Sequence, residues 1–282
     1  MIPKPLDPSS ARERFEAIAC LSDREIDLAE AALLIAAEEQ PGLDPRPWLW
    51  RLEDLAGRLW PRLQEAQDDF QRLECLTGFL FGELGLRGNS EDYYDPRNSF
   101  LDQVLDRGLG VPITLAVVCI EVGRRVGVPL DGVGFPGHFL LRHTRHPQIL
   151  LDPFEGGRLL TVEDCQEILK RVSGGRIEFE PRLLRPVGRR HILVRILNNL
   201  RGVYVERDEL ERALSVMDRV LLLIPDDPDA LRDRGLLALH WGDLPRGIAD
   251  LERCLEMDPE TQGQEEVEAA IAHARRQLEM PH

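Results

Sequence analysis

His138 and Asp152 are the residues of this 282-residue chain whose types and spacing best suit chemistry. They stand on two apolar stretches, Gly132–His143 and Gln148–Phe154, separated by the polar turn Thr144–Arg145–His146–Pro147. Apolar runs of this length flanking a polar turn predict a β-hairpin. With the turn centred near Arg145, Arg142 faces Gln148, Leu140 faces Leu150 and His138 faces Asp152. Directly opposed residues in an antiparallel pair hold their Cβ atoms roughly 4.5–5.5 Å apart, close enough for an imidazole–carboxylate hydrogen bond. Phe139, Leu141, Ile149 and Leu151 then share the opposite, core-side face. A carboxylate beside an imidazole fixes its tautomer and favours its charged form. Such a pair either serves a nucleophile or simply ties a hairpin together.

The element that would carry the nucleophile precedes the hairpin. Val111–Val122 is almost continuously apolar and predicts a helix buried on nearly all sides. Pro112 suits its first position, where a missing N–H costs nothing; Gly127 ends it and Pro129 prevents its continuation. A helix N-terminus favours a thiolate through its dipole and free N–H groups, and a Cys there would complete a Cys–His–Asp relay. This helix starts at Pro112 instead. Cys119 lies seven residues on, near the same helical face but roughly 10 Å along the axis, and reads as a core residue. Thr114 is nearer but rotated about 200° from Pro112, so it serves only if the helix begins irregularly. Ser99, in Ser99–Phe100–Leu101–Asp102, reads as the N-cap of another helix. A base and its orienting carboxylate are kept; the attacking group is not.

Gly110–Val111–Pro112, Ala116, Gly127–Val128–Pro129, His138 and Asp152–Pro153 together resemble the transglutaminase-like superfamily pattern. In that pattern a Gly-x-Cys opens a helix that closes on Gly-Ile-Pro, and a His strand and an Asp-Pro strand follow. The resemblance places the nucleophile position on Pro112. The longer run RNSFLDQVLDRGLGVPITLA, with FPGHFLLR and LDPFEGG after it, resembles the bacterial SirB-type family. That group joins a transglutaminase-like domain to C-terminal tetratricopeptide repeats and generally lacks the Cys as well; a related domain occurs in a eukaryotic F-box protein. The resemblance implies an α+β, papain/transglutaminase-like domain with a helical N-terminal part and a β-hairpin sheet. By association alone, it hints at regulation of gene expression.

The flanking segments fit that organisation. Ser10–Ala37 has apolar residues at helical spacing and ends at Gln40–Pro41–Gly42, and Trp48–Leu59 and Leu63–Leu84 predict further amphipathic helices. Trp48, Trp50 and Trp60 are expected as core or interdomain anchors. Thr161–Val162–Glu163–Asp164 resembles a capping box opening a helix to about Val172, and a linker rich in Pro and Arg runs to about Arg190. Pro225 and Pro259 stand 34 residues apart, as do Leu197/Leu231, Tyr204/Ala238, Ala213/Gly247, Met217/Leu251 and Val220/Cys254. This is the tetratricopeptide period. It predicts repeats at about 194–227 and 228–261, departing from the usual pattern at Arg234 and Gly247, with a capping helix at 265–278. The domain boundaries follow as 1–185 and 186–282. Arg195, Asn198 and Arg201 lie on the first repeat helix, where they either hold an acidic tail or C-terminal carboxylate or form a solvated face.

Composition narrows the function classes. A formal net charge of −15 argues against nonspecific nucleic-acid binding and against attraction to anionic membranes. With no charged-then-apolar leader at Met1 and no apolar stretch of spanning length, a cytoplasmic protein is expected. Five scattered cysteines without a Cys-x-x-Cys point away from a zinc site and a disulfide framework. His138, His143 and His146 lack companion ligands, so no metal and no cofactor are expected. The sequence reads as a non-catalytic regulatory or protein-interaction module that recruits a protein or peptide through its repeat tail. The alternative is a hydrolase or acyl-transferase acting on amide, thioester or isopeptide bonds, with His138 as base, Asp152 as orienter and Thr114 or water as nucleophile. A small-molecule binder in the relic cleft is a third reading.

Overall fold

A computed structural model describes residues 8–261 and 263–279. The chain divides into two compact units, 1–196 and 197–282.

The first unit opens with α1 (Pro8–Ala19) and α2 (Leu28–Glu39). The single helical run expected over 10–37 is broken at Ser22, whose N–H and hydroxyl both donate to the Glu25 carboxylate. Asp27 then restarts the helix by accepting the Glu30 N–H. The third helix, α3 (Pro45–Leu63), buries Leu52, Leu55, Ala56, Leu59 and Leu63. Trp50 and Trp60 lie off that stripe and are 74% and 50% exposed, so of the expected core or interdomain anchoring neither fills the core part. After α4 (Asp69–Thr77) and a π-helical turn at Gly78–Glu83, β1 (Arg87–Gly88) pairs in parallel with β2 (Leu109–Gly110).

Between those strands lie a 3₁₀ turn (Pro96–Asn98) and α5 (Leu101–Arg107). Ser99 does not cap α5: its N–H closes the 3₁₀ turn on Pro96, and Phe100 occupies the N-cap position with no side-chain bond. Asp102 turns inward instead and accepts from the side-chain amides of Gln40 and Gln103. Helix α6 (Pro112–Val126) runs as expected, almost wholly buried, and stops at Gly127 in the left-handed conformation.

An antiparallel meander follows: β3 (Leu130–Val133), β4 (Leu140–His143), β5 (Leu150–Asp152) and β6 (Arg158–Leu160). Its hairpin is offset by two residues from the expected register, with Arg142 opposite Leu150 and Leu141 opposite Leu151. His143 makes the longer turn: its Nδ1 accepts the N–H groups of Arg145 and His146, each at 3.2 Å, and its own N–H reaches the Ile149 carbonyl at 3.0 Å. A shift of two keeps every side chain on its face. His138 lies in the bend ahead of β4, outside the paired residues, rather than directly opposite Asp152 in the ladder. Nor is there one core side. Leu140, Leu150 and Leu160 pack with Cys165, Ile168 and Leu169 of α7 (Val162–Ser173), while Phe139 and Leu141 on the other face are equally buried. The Thr161–Asp164 capping box forms as expected. The Pro- and Arg-rich segment then runs beside β3, where the Val187 N–H meets the Gly132 carbonyl. It leads into α8 (Arg189–Glu206), whose first N–H groups rest on the Asp23 carboxylate.

In the second unit, the end of α8 is followed by α9 (Leu210–Leu223), α10 (Pro228–Trp241), α11 (Leu244–Met257) and α12 (Gln264–Glu279). The 34-residue pattern is a packing pattern: Tyr204, Ala213, Met217, Val220, Ala238, Leu251 and Cys254 are all buried. The two departures have physical reasons. A Cβ at Gly247 would lie 2.4 Å from Leu239 and 2.9 Å from the Gly235 carbonyl, so α10 and α11 approach too closely for a side chain. Arg234 is held bidentately by Asp250, at 2.7 Å on each nitrogen, and by Asp218 at 2.9 Å. Val267, Ile271 and Ala274 of α12 close the stack against Ile248 and Leu251.

Candidate functional site

The meander brings His138 and Asp152 together, with Nε2 2.7 Å from Oδ2. The other carboxylate oxygen is taken up by the turn after β5, accepting N–H groups from Phe154 (2.9 Å) and Glu155 (3.3 Å), while the Gly157 N–H closes on the Asp152 carbonyl. Asp152 is buried and the His138 side chain is 13% exposed. With the carboxylate ionised, the neutral imidazole carries its ring proton on Nε2 and presents a lone pair on Nδ1. The pair therefore offers an oriented base whose accepting atom is Nδ1. Phe154 stands edge-on to the imidazole at 6.3 Å, and Tyr93 stands edge-on to Phe154 at 6.0 Å.

Pro112 is buried at the first position of α6, behind Val111. Thr114 is 1% exposed and its hydroxyl donates to the carbonyls of Asn98 (2.6 Å) and Val111 (3.1 Å). That proton is committed to main-chain acceptors. Cys119 is packed in the core of α6, and burial raises its thiol far above the ordinary range. Cys165 is pushed up to about 11 by burial, with the Asp164 and Asp152 charges adding to the rise. Neither is a thiolate near neutral pH. Among the described residues, the only side chain hydrogen-bonded to His138 is Asp152.

The loop over the start of α6 is built on Asn98, which is fully buried. Its amide donates to the Asp92 (2.7 Å) and Tyr93 (3.3 Å) carbonyls, and its side-chain oxygen accepts from Asn89 at 3.0 Å. Asn89, Asn98, Phe154 and Tyr93 escaped the sequence reading. The signal for them was a polar turn carrying two adjacent tyrosines; their partners lie too far along the chain for spacing to reveal.

The three residues proposed on the first repeat helix take separate surroundings. Arg195 lies within electrostatic reach of Tyr93: burial raises the Tyr93 phenol's pKa and the Arg195 charge opposes that rise. Arg201, in the second unit, is ion-paired to Asp233, and Asn198 is half-buried. His143 and His146 take structural roles, the first holding its turn and the second bonding Asp69 at 3.0 Å. Among the described residues, no group of three or more His, Cys, Asp or Glu side chains is placed to hold a metal ion. No helix among them is long and apolar enough to cross a membrane.

A helix leading into a His–Asp meander, followed by paired helices of 34-residue period, defines a transglutaminase-like domain with a tetratricopeptide tail. Family profiles agree, the transglutaminase-like superfamily matching residues 47–198 and the tetratricopeptide repeat matching 200–278. A UPF0162 protein of Xylella fastidiosa (strain Temecula1) is 43% identical over 248 residues, covering 86% of this chain and 88% of that protein. A UPF0162 protein of Pseudomonas aeruginosa is 36% identical over 206 residues, covering 73% and 75%. Human F-box only protein 21 is 28% identical over 196 residues, which is 65% of this chain but 30% of that protein. The chain belongs to the transglutaminase-like superfamily, within the UPF0162, SirB-type family.

Proposed function

We propose that this protein is a non-catalytic, cytoplasmic member of its superfamily, whose His138–Asp152 site recognises a ligand while the repeat tail, taken as 186–282, recruits a protein partner. The observation that carries the reading is the start of α6. Pro112, onto which the superfamily resemblance places the nucleophile position, opens the helix, and Thr114 spends its hydroxyl proton on the Asn98 and Val111 carbonyls. A base without an attacking group within hydrogen-bond reach gives no nucleophilic catalysis. Tetratricopeptide arrays present helix faces to peptides and proteins, which supports the partner half of the proposal.

One observation favours the competing hydrolase reading: the Nδ1 lone pair of His138 remains available to polarise a water. The two readings separate in a turnover assay using a p-nitroanilide, a thioester and an isopeptide probe. On the non-catalytic reading, wild type and His138→Ala release product at the same background rate from all three. Release that depends on His138 would establish an enzyme.

A further inference from the structure

We infer that the cavity along the outer edge of β3 is a binding site for a neutral heterocycle with an amino-lactam edge, as in guanine or a pterin, held by the Asp131 carboxylate. The inference goes beyond the recognition reading above and does not rest on it, because neither His138 nor Asp152 lines this cavity.

Shape comes first. The cavity has a volume of about 280 Å³ and lies wholly within the first unit. That suits a small ligand, since pockets for larger ones run to roughly 300–1,000 Å³. Residues 129–132 line one side of it, and β3 is the end strand of its sheet. Leu28, Ile120, Leu130 and Ile192 give it an apolar wall, while the exposed Gly127 and Thr144 in its lining leave it open to solvent. Main-chain groups of a strand alternate between its two edges. The Val187 N–H meets the Gly132 carbonyl on the outer edge, so Leu130, two residues earlier, turns its own N–H and carbonyl to that same edge. Among the described residues, no main-chain partner outside the sheet takes them up.

Charge then selects the ligand. Asp131 lines the cavity half-buried and, among the described residues, its carboxylate makes no hydrogen bond or ion pair. Its neighbour across the ladder is Arg142, whose Nη1 donates to the Leu184 carbonyl at 3.3 Å instead. A carboxylate so placed can accept two parallel N–H bonds from one ligand edge. A cation is disfavoured, because Arg124 and Arg189 share the lining and Arg142 stands opposite Asp131. An anion is disfavoured too. Asp131 repels it, and the guanidinium donors are already engaged: Arg124 with Glu121 at 2.9 Å, and Arg189 with the Arg24 carbonyl at 3.0 Å and the Ile26 carbonyl. A neutral ligand remains, with two adjacent N–H donors for Asp131, an acceptor for the Leu130 N–H and a flat body for the apolar wall. An amino-lactam edge carries those groups in order: carbonyl, ring N–H, exocyclic amine.

The test uses the full-length chain and calorimetric titration with guanosine, inosine, adenosine and pterin. Guanosine should bind about 10- to 100-fold more tightly than inosine, which lacks the exocyclic amine, the range for losing a hydrogen bond to a charged group. Adenosine, whose edge reverses donor and acceptor, should bind no better than inosine. Asp131→Asn presents one donor and one acceptor, so it should lose guanosine by the same factor and gain xanthosine, which has an oxo group in place of the amine. Should that variant bind neither, the comparison of ligands on the wild-type chain decides. Tighter binding of pterin than of guanosine would assign the cavity to pterins, and the converse to guanine nucleosides. Equal affinities for guanosine and inosine, indifference of guanosine to Asp131→Asn, or no binding of guanosine or pterin at millimolar concentration would each overturn the inference. None of those results bears on His138, whose reading stands or falls by the turnover assay.

Discussion

Gly88→Ala is the sharpest probe of how the site is held. A Cβ at this position would lie 2.5, 2.5 and 2.6 Å from three carbons of the Phe154 ring, where ordinary contact is 3.4–4 Å. The ring must therefore retreat by about an ångström, against a main chain bonded to both Gly88 and Asp152. Gly88 has no positive φ, so alanine fits its backbone. Conformational entropy alone then predicts stabilisation of about 0.4–1 kcal/mol. Overpacking predicts the opposite sign, a loss of about 1–3 kcal/mol. Sterics should win, lowering the melting temperature by about 2–12 °C for a unit of this size. Thermal unfolding followed by circular dichroism measures the shift, and the His138 ring resonances should move with Phe154. In a Phe154→Ala background the clash disappears, and Gly88→Ala should become neutral or stabilising. A higher melting temperature for Gly88→Ala alone, or the same loss in both backgrounds, would refute the packing argument.

Three further outcomes follow from the geometry. Burial lowers the pKa of His143 from its ordinary 6.5, with Asp69 and Asp131 opposing the shift and His146 and Arg145 adding to it. The unfolded chain therefore takes up this proton first as pH falls, so stability from this group is intact above about pH 6.5 and is lost below it. His143→Gln should flatten that part of the pH–stability curve in urea unfolding, and an unchanged slope would count against the assignment. Asp152→Asn turns an amide toward Nε2, which forces the His138 proton onto Nδ1; nitrogen NMR should show the tautomer exchange at a cost of about 1–3 kcal/mol. Persistence of the Nε2–H tautomer would contradict the hydrogen-bond assignment. Thr114→Val keeps the shape but removes the bond to the Asn98 carbonyl, and should cost about 0.5–1.5 kcal/mol in chemical denaturation. A stability equal to wild type would mean that the hydroxyl does not tie the loop to α6.

Local signals account for what could be read from the chain. Pro112 and Gly127 mark the ends of α6 because proline and glycine act at helix ends through backbone geometry, independently of what surrounds them. The His138–Asp152 contact forms although the hairpin register is offset by two residues, an even shift that keeps the paired residues on their faces while the bend ahead of β4 carries His138. Ser99 failed as a cap because tertiary contacts decided otherwise: Asp102 found the Gln40 and Gln103 amides, and Ser99 had already closed the preceding turn. Trp50 and Trp60 failed for the opposite reason, since aromatic bulk says nothing about which side of α3 faces inward.

The surroundings of His138 were not legible, because they depend on the parallel pairing of Arg87–Gly88 with Leu109–Gly110. That pairing lays Gly88 against Phe154 and carries the Tyr93 loop toward the imidazole. It also bears on what the site is for. The start of α6 offers a buried proline and a threonine bonded to main-chain carbonyls, and the ring beside the imidazole is the edge-on Phe154. Among the described residues the imidazole keeps Asp152 as its one side-chain hydrogen-bond partner, so Nδ1 is the atom through which a bound ligand or an activated water would act, and product release that depends on His138 tells the two apart.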